Sequence, residues 1–315
     1  MAETAVARET LFALRETIAR LEGKPIPALA AADQAAAAEN PAPGRPAARP
    51  EQMLATGVAD LDDALQGGFP RDALTEIRSS ALRDAGAATG FALALAARLR
   101  EPGGDMPWAL APVLWIGEPV VTLEAGLPYA PGLRDFGVEP KGFLHAAPRK
   151  LDDALWLAEA ALASAAFTLV VLEVRGNPAH FGLTESRRLS LRAKAAGRPL
   201  FVLRQAGEEE ASSAFFRLHV EPAPASARRL PDGSMLGGSI GNPSFRLTLE
   251  KSRNPAPLSF ILEWKAHDRQ FLPVTQAPAS RRRPEPHSGA QLSAAADRSH
   301  RPQTVGSLLA FDRAS

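Results

Sequence analysis

Apolar positions recur at three- and four-residue spacing near the amino end and in short, strand-length runs from Leu74 onward, so the period changes along the chain. Leu11, Leu14, Ile18 and Leu21 fall on one face of a helix predicted over residues 8 to 22, with Arg8, Glu9, Arg15, Glu16, Arg20 and Glu22 on the remaining surface. Residues 23–52 are rich in Ala, Pro and Gly and carry too little apolar surface to fold alone, so they read as a flexible linker. From Leu74 the pattern alternates. Strands are expected at Leu74 to Ile77, Pro112 to Gly117, Phe167 to Leu172 and Pro199 to Leu203. Helices are expected at Gly86 to Arg100, Leu151 to Ala163 and Thr184 to Ala196, the last capped by Thr184. Repetition of strand and helix implies an α/β fold with a largely parallel sheet covered on both faces. Phe245 to Lys251 and Ser259 to Lys265 alternate apolar and polar residues, and predict an antiparallel addition turning through Asn254 to Pro257. The core, residues 53–272, is expected to end near Leu272. Residues 273–315 read as a disordered Pro-, Ser- and Arg-rich tail with one apolar island at Leu308-Leu309-Ala310-Phe311.

Composition narrows the function classes. The chain has 315 residues and a net charge of +1, so no global field draws it to nucleic acid or an anionic membrane. With no cysteine, disulfides, thiolate metal sites and cysteine nucleophiles are excluded. The six histidines show no H-E-x-x-H spacing, and no metal site is expected. No signal peptide and no run of 18 apolar residues is evident, so a soluble cytoplasmic protein is expected.

The run Thr56-Gly57-Val58-Ala59-Asp60-Leu61-Asp62, with Gly67-Gly68-Phe69-Pro70-Arg71 and Leu74-Thr75-Glu76-Ile77 after it, resembles the approach to the ATP site of the RecA recombinase family. A phosphate loop, G-x-x-x-x-G-K-[S/T], should follow, with a lysine on the terminal phosphates and a hydroxyl on magnesium. Residues 78–90 stand there instead. Taking Gly86 as the second glycine puts Ala87 at the lysine position and Ala88 at the hydroxyl position, and no lysine occurs from Pro25 to Pro140. Arg83 could supply charge, but Asp84 beside it would repel a triphosphate. The site reads as a relic scaffold that takes no cofactor and turns nothing over.

The resemblance continues in order. Trp115-Ile116-Gly117-Glu118 is similar to the strand that ends in the family's catalytic glutamate. Phe167 to Glu173 is similar to the strand ending in a metal-associated acid, and Leu203-Arg204-Gln205 to the strand ending in a phosphate-sensing glutamine. Leu249-Glu250-Lys251-Ser252-Arg253-Asn254 resembles the basic hairpin that reaches an adjacent protomer. After Gln205, where RecA has a DNA-contacting loop, this chain has Glu208-Glu209-Glu210, which opposes phosphate contact. A RecA-like core without the ATP lysine, preceded by a helix and an Ala/Pro linker, looks like the ImuA family. Leu127 to Leu133, Asp153 to Glu159, Leu183 to Leu189 and Leu262-Glu263-Trp264 are similar to that family. The resemblance implies a role in SOS mutagenesis and error-prone translesion synthesis, with the polymerase-like ImuB and an error-prone replicative-type polymerase as partners. RecA is a further candidate partner, direct DNA binding is expected to be weak or absent, and no membrane is involved.

The degenerate nucleotide site would comprise Ser79, Gly86, Ala87, Ala88, Glu118, Glu173 and Gln205. Glu118 and Glu173 are read as ending their strands, where ligands of open α/β sheets bind, or else as plain caps. Partner-binding candidates are Leu14, Ile18 and Leu21, the basic helix residues Arg187, Arg188 and Arg192, the hairpin residues Lys251 and Arg253, and the tail residues Leu308, Leu309 and Phe311. Lys194, Arg198 and Arg204 would extend the basic patch, and a solvated helix face is its competing reading. Arg228 and Arg229 with Gly237, Gly238 and Gly241 read as a turn or a phosphate grip. Two other functions stay open: an ATP-dependent RecA relative that binds DNA, or a regulator of RecA filaments or of cell division.

Overall fold

The structure, a computed structural model, describes residues 52–100, 110–226, 230, 232–234, 236, 240–252 and 258–274. The expected helix over 8–22, the linker, the tail with Leu308, Leu309 and Phe311, Arg253, Arg228, Arg229, Gly237 and Gly238 lie outside these residues. The fold opens with a short antiparallel pair, β1 (Met53–Leu54) and β2 (Phe69–Pro70), joined by helix α1 (Ala59–Ala64). Asp62 explains the local sequence here: its carboxylate accepts from the Thr56 N–H at 2.7 Å, the Thr56 hydroxyl at 2.8 Å and the Gly57 N–H at 2.9 Å. Gly68 is required at the return, with φ +116° and any Cβ only 2.1 Å from the Leu54 carbonyl oxygen.

Strands β3 (Leu74–Arg78), β4 (Val113–Gly117), β5 (Phe143–Ala146), β6 (Leu169–Arg175), β7 (Leu200–Gln205), β8 (Phe216–Pro222), β9 (Ser244–Lys251), β10 (Leu258–Lys265) and β11 (Gln270–Pro273) form one nine-stranded sheet. Its order is β11-β10-β9-β8-β3-β7-β6-β4-β5. From β8 to β5 every pair is parallel, and β9, β10 and β11 extend the sheet antiparallel. The architecture is the expected one, a mixed and mostly parallel sheet flanked by helices.

The helices are α2 (Ala85–Leu99), α3 (Pro119–Ala125), α4 (Ala130–Asp135), α5 (Leu151–Ser164) and α6 (Leu183–Ala196). Alternate strand residues serve two cores. Trp115, Leu169, Val171, Phe201, Leu203, Phe216 and Leu218 pack with α2, while Leu114, Ile116, Val170, Leu172, Leu200 and Val202 pack with α5 and α6. Small residues let α2 lie close to the sheet: Ala88, Ala92, Ala94 and Ala96 are fully buried. Phe91 gathers Phe69, Phe245 and Phe271 at centroid distances of 6.1, 5.8 and 5.6 Å, each contact contributing about 0.5–1.5 kcal/mol beyond burial.

Two boundaries differ from expectation. Thr184 is not the cap of α6. Gly182 is, and its N–H donates to the Glu185 carboxylate at 2.9 Å, because glycine leaves the side-chain role to the acid one turn on. Glu173 does not end its strand either, since parallel pairing with β7 carries β6 on to Arg175. Strand β8 had no expectation, although Phe216, Leu218 and Val220 alternate with Arg217, His219 and Glu221 at strand period. No helix among the described residues is long and apolar enough to cross a membrane.

Candidate functional site

The crevice lies at the carboxyl edge of the sheet. There β4 leads through α3 to α4 and β6 leads to α6, with α4 and α6 on opposite faces, the kind of switch point where open α/β sheets bind ligands. After β3 the chain stays in register with β7, with the Ser79 N–H donating to the Arg204 carbonyl at 3.0 Å and the Gly207 N–H to the Ser79 carbonyl at 2.9 Å. A short 3-10 turn, Leu82–Asp84, then delivers α2, whose N-cap is Asp84. That carboxylate puts negative charge at the helix start, where an anion would otherwise be favoured.

A cavity of about 290 Å³ opens beside this turn. It is lined by Leu82, Ala85, Gly86, Thr89, Trp115, Glu124, Gly126, Leu127, Pro128 and Glu173. Helical phase decides which α2 residues reach it. Ala85, Gly86 and Thr89 share that face, whereas Ala88 is fully buried in the core and Ala87 packs partly buried against it. The expectation that Ala87 and Ala88 belong to the site is therefore corrected: the hydroxyl of this face is that of Thr89.

The lining residues Thr89, Trp115 and Glu173 are tied into one hydrogen-bond network with Gln205 and Ser79 buried behind them. The Trp115 indole N–H donates to Glu173 Oε2 at 2.7 Å, and the Gln205 amide donates to Glu173 Oε1 at 2.7 Å and to Thr89 Oγ1 at 2.9 Å. The Ser79 hydroxyl donates to Gln205 Oε1 at 3.1 Å and accepts the Ala206 N–H at 3.1 Å. Burial pushes the Glu173 carboxyl above its ordinary pKa, against the opposing effect of the bonds from Gln205 and Trp115. Glu118 stands apart from this network. It caps α3, its N–H donates to the Glu173 carbonyl at 2.9 Å, and its carboxylate accepts the Arg175 N–H at 2.8 Å. Arg175 itself pairs with the lining residue Glu124 at 2.5 Å, so this cation is bound to an acid.

Of the seven expected site residues, Ser79, Gly86, Glu173 and Gln205 come together at the crevice, Glu118 flanks it, and Ala87 and Ala88 turn away. Sequence reasoning missed Trp115 and Thr89 as members. Thr89 carried a signal, since it falls one helical turn after Gly86. Trp115 carried none, because its partner Glu173 lies on another strand.

The basic candidates separate. Arg187, Arg188, Arg192 and Lys194 are exposed on α6, and Arg188 pairs with Glu159 of α5 at 2.5 Å. Arg204 does not belong to that patch. It is 1% exposed and its Nε donates to Glu76 Oε1 at 2.9 Å, because its strand position points under the covering loop. Arg217, also 1% exposed, approaches the same oxygen at 3.5 Å. The acidic run closes over these two cations. Glu210 supplies its carbonyl to Arg217, and the Glu210 and Glu209 carboxylates lie 3.9 Å from Arg204 and Arg217. Lys251 donates to the Ser212 carbonyl at 2.7 Å and so holds the same loop. Among the described residues no group of three or more His, Asp or Glu is placed to hold a metal ion.

No protein-family model matches the chain. No curated protein matches it either. Among solved structures it is similar to one described as the crystal structure of the RadB recombinase, at 18% identity and a TM-score of 0.46, over 71% of this chain and 100% of that one.

Proposed function

We propose that this protein is a non-catalytic RecA-like adaptor of SOS mutagenesis, supporting error-prone translesion synthesis through protein partners. One observation carries the non-catalytic part: the groups at the crevice that would handle a nucleotide are bonded to each other. Phosphoryl transfer needs cations on the terminal phosphates and a carboxylate free to act on metal or water. Here no lysine or arginine is among the cavity's lining residues, two of the lining residues are acids, and the Glu173 carboxylate is held from both oxygens. A triphosphate placed there would meet Glu124, Glu173 and Asp84, and the cation of the same turn, Arg83, stands exposed 3.9 Å from Asp84 rather than among the lining residues.

The adaptor part rests on the sequence resemblance to the ImuA family, whose matching segments fall at α4, α5, α6 and β10. The acidic run fits it, since Glu209 and Glu210 serve buried arginines rather than a DNA-binding loop. The test uses the purified chain against an ImuB-type polymerase-like protein and RecA from the same source, with and without ATP. Capture that is indifferent to ATP, together with no turnover, is the expected result. Stoichiometric ATP turnover abolished by Glu173→Ala would overturn it, and salt-dependent DNA binding by the core would favour the ATP-dependent recombinase relative.

A further inference from the structure

Just past the end of β3, a serine and a histidine meet outside the hydrogen-bond network of Glu173. Parallel pairing sets Arg78 of β3 level with His219 of β8, and Ser80 follows Arg78 by two residues. Ser80 Oγ lies 2.7 Å from His219 Nε2. The Arg78 guanidinium donates from Nη1 to Ser80 Oγ at 3.2 Å and to the Gly207 carbonyl at 3.0 Å. Glu250 of β9 grips its other edge, accepting the Nε–H at 2.8 Å and also the Nη2 group. The cation beside Ser80 is therefore fixed in place by partners from distant parts of the chain.

These contacts separate Ser80 from an ordinary surface serine. Arg78 can only donate, so it fills an acceptor position of the Ser80 oxygen and favours negative charge developing there. His219 is held towards its neutral form. Burial first, and then Arg78, push its pKa below the ordinary value, against the opposing effect of Glu250, Glu221 and Asp84. A neutral imidazole with its proton on Nδ1 accepts a hydroxyl proton at Nε2. Ser80 is also exposed, so a reagent can reach it, whereas the adjacent Ser79 is buried with its hydroxyl on Gln205. A nucleophile and a base within hydrogen-bond reach, with a third group fixing the geometry, is the arrangement that activates serine.

We propose that Ser80 is a modification site: a nucleophile, with His219 as its base, that takes an acyl group from an activated ester. The Ser80 oxygen bonds to the carbonyl carbon as its proton passes to His219 Nε2. The bond to the leaving oxygen then breaks, and that oxygen departs with the electron pair and takes the proton. One Ser80 ester per chain is the product, and no turnover is required. The proposal stands apart from the adaptor reading, since neither partner capture nor ATP turnover enters its test.

The test treats the full chain with an alkyl fluorophosphonate, at which an activated serine oxygen bonds to phosphorus, fluoride leaves with the electron pair and His219 takes the proton. Peptide mass mapping locates the label, and circular dichroism of each variant is the fold control. One label per chain is expected on Ser80, none in Ser80→Ala, and a rate at least about a hundredfold lower in His219→Gln. The native rate should rise with pH as His219 loses its proton, with its half-maximum below the ordinary histidine pKa. Absence of label on Ser80, label spread over several serines, or a smaller effect of His219→Gln would each overturn the proposal.

Discussion

Glu76→Gln tests whether the ion cluster under the acidic loop holds the middle of the sheet. Glu76 is 1% exposed, and its Oε1 meets Arg204 at 2.9 Å and Arg217 at 3.5 Å, each also 1% exposed. The amide keeps an acceptor near that position but removes the negative charge, leaving two buried guanidinium groups facing a neutral residue. Arg204 retains the Gly176 and Phe181 carbonyls at 3.3 Å and the Phe181 ring at 4.7 Å from its Cζ, and Arg217 retains the Ser212 hydroxyl at 2.8 Å. Those contacts place the cost at the lower end of that for breaking a buried pair, about 3 kcal/mol of the 3–5 typical. For a domain of this size that is a fall of roughly 6–12 °C in melting temperature. Urea unfolding measures it, with Glu210→Gln as the internal comparison. The Glu210 carboxylate is 37% exposed and 3.9 Å from Arg204, so its loss should cost under about 1 kcal/mol. Equal effects from the two variants, or a Glu76→Gln loss below about 1 kcal/mol, would refute the assignment of the cluster to fold stability.

The crevice and the β1–β2 return supply the remaining predictions. Burial raises the Glu173 carboxyl pKa in the folded state, so its contribution to stability is complete below the ordinary carboxyl pKa and is lost as pH rises through the folded value. Glu173→Gln removes that loss. The stability of the native chain relative to this variant, from urea midpoints between acid and neutral pH, should therefore fall as pH rises, and a rise would contradict the reasoning. Ala87→Lys with Ala88→Thr rebuilds the motif on paper yet should confer no ATP turnover, because Ala88 faces the core; the buried hydroxyl should cost about 1–3 kcal/mol, read by thermal melting. Measurable turnover would show that helical phase does not exclude these positions. Gly68→Ala should lower stability by well over about 2 kcal/mol, since its Cβ would sit 2.1 Å from the Leu54 carbonyl oxygen, whereas Gly57→Ala, with φ +84° and open space, should cost only about 1–2 kcal/mol for backbone strain. Thermal melts that rank the two the other way would refute the steric argument.

Much of the fold could be read from local pattern. Runs such as Leu169 to Leu172 are apolar at every position because both sheet faces are covered, and that shows in one dimension. Strand β8 was legible in the same way, since Phe216, Leu218 and Val220 alternate with polar residues, and it was missed. What the pattern does not show is that Arg217, on the polar side of that alternation, is buried by partners distant in sequence, Glu76 above all. The same limit explains Arg204, which reads as part of a basic patch with Arg187, Arg188 and Arg192 until the sheet places Glu76 beside it.

By itself the sequence determined the α/β alternation and the absence of any lysine from Pro25 to Pro140, because each is a property of residue type and spacing. Only the tertiary structure decided that Ala88 faces the core and Thr89 the crevice, that Trp115 and Gln205 hold Glu173, and that Glu209 and Glu210 close over buried arginines. Those outcomes depend on helical phase against a particular sheet and on pairing between residues far apart in the chain, and neither is written into any single stretch of sequence.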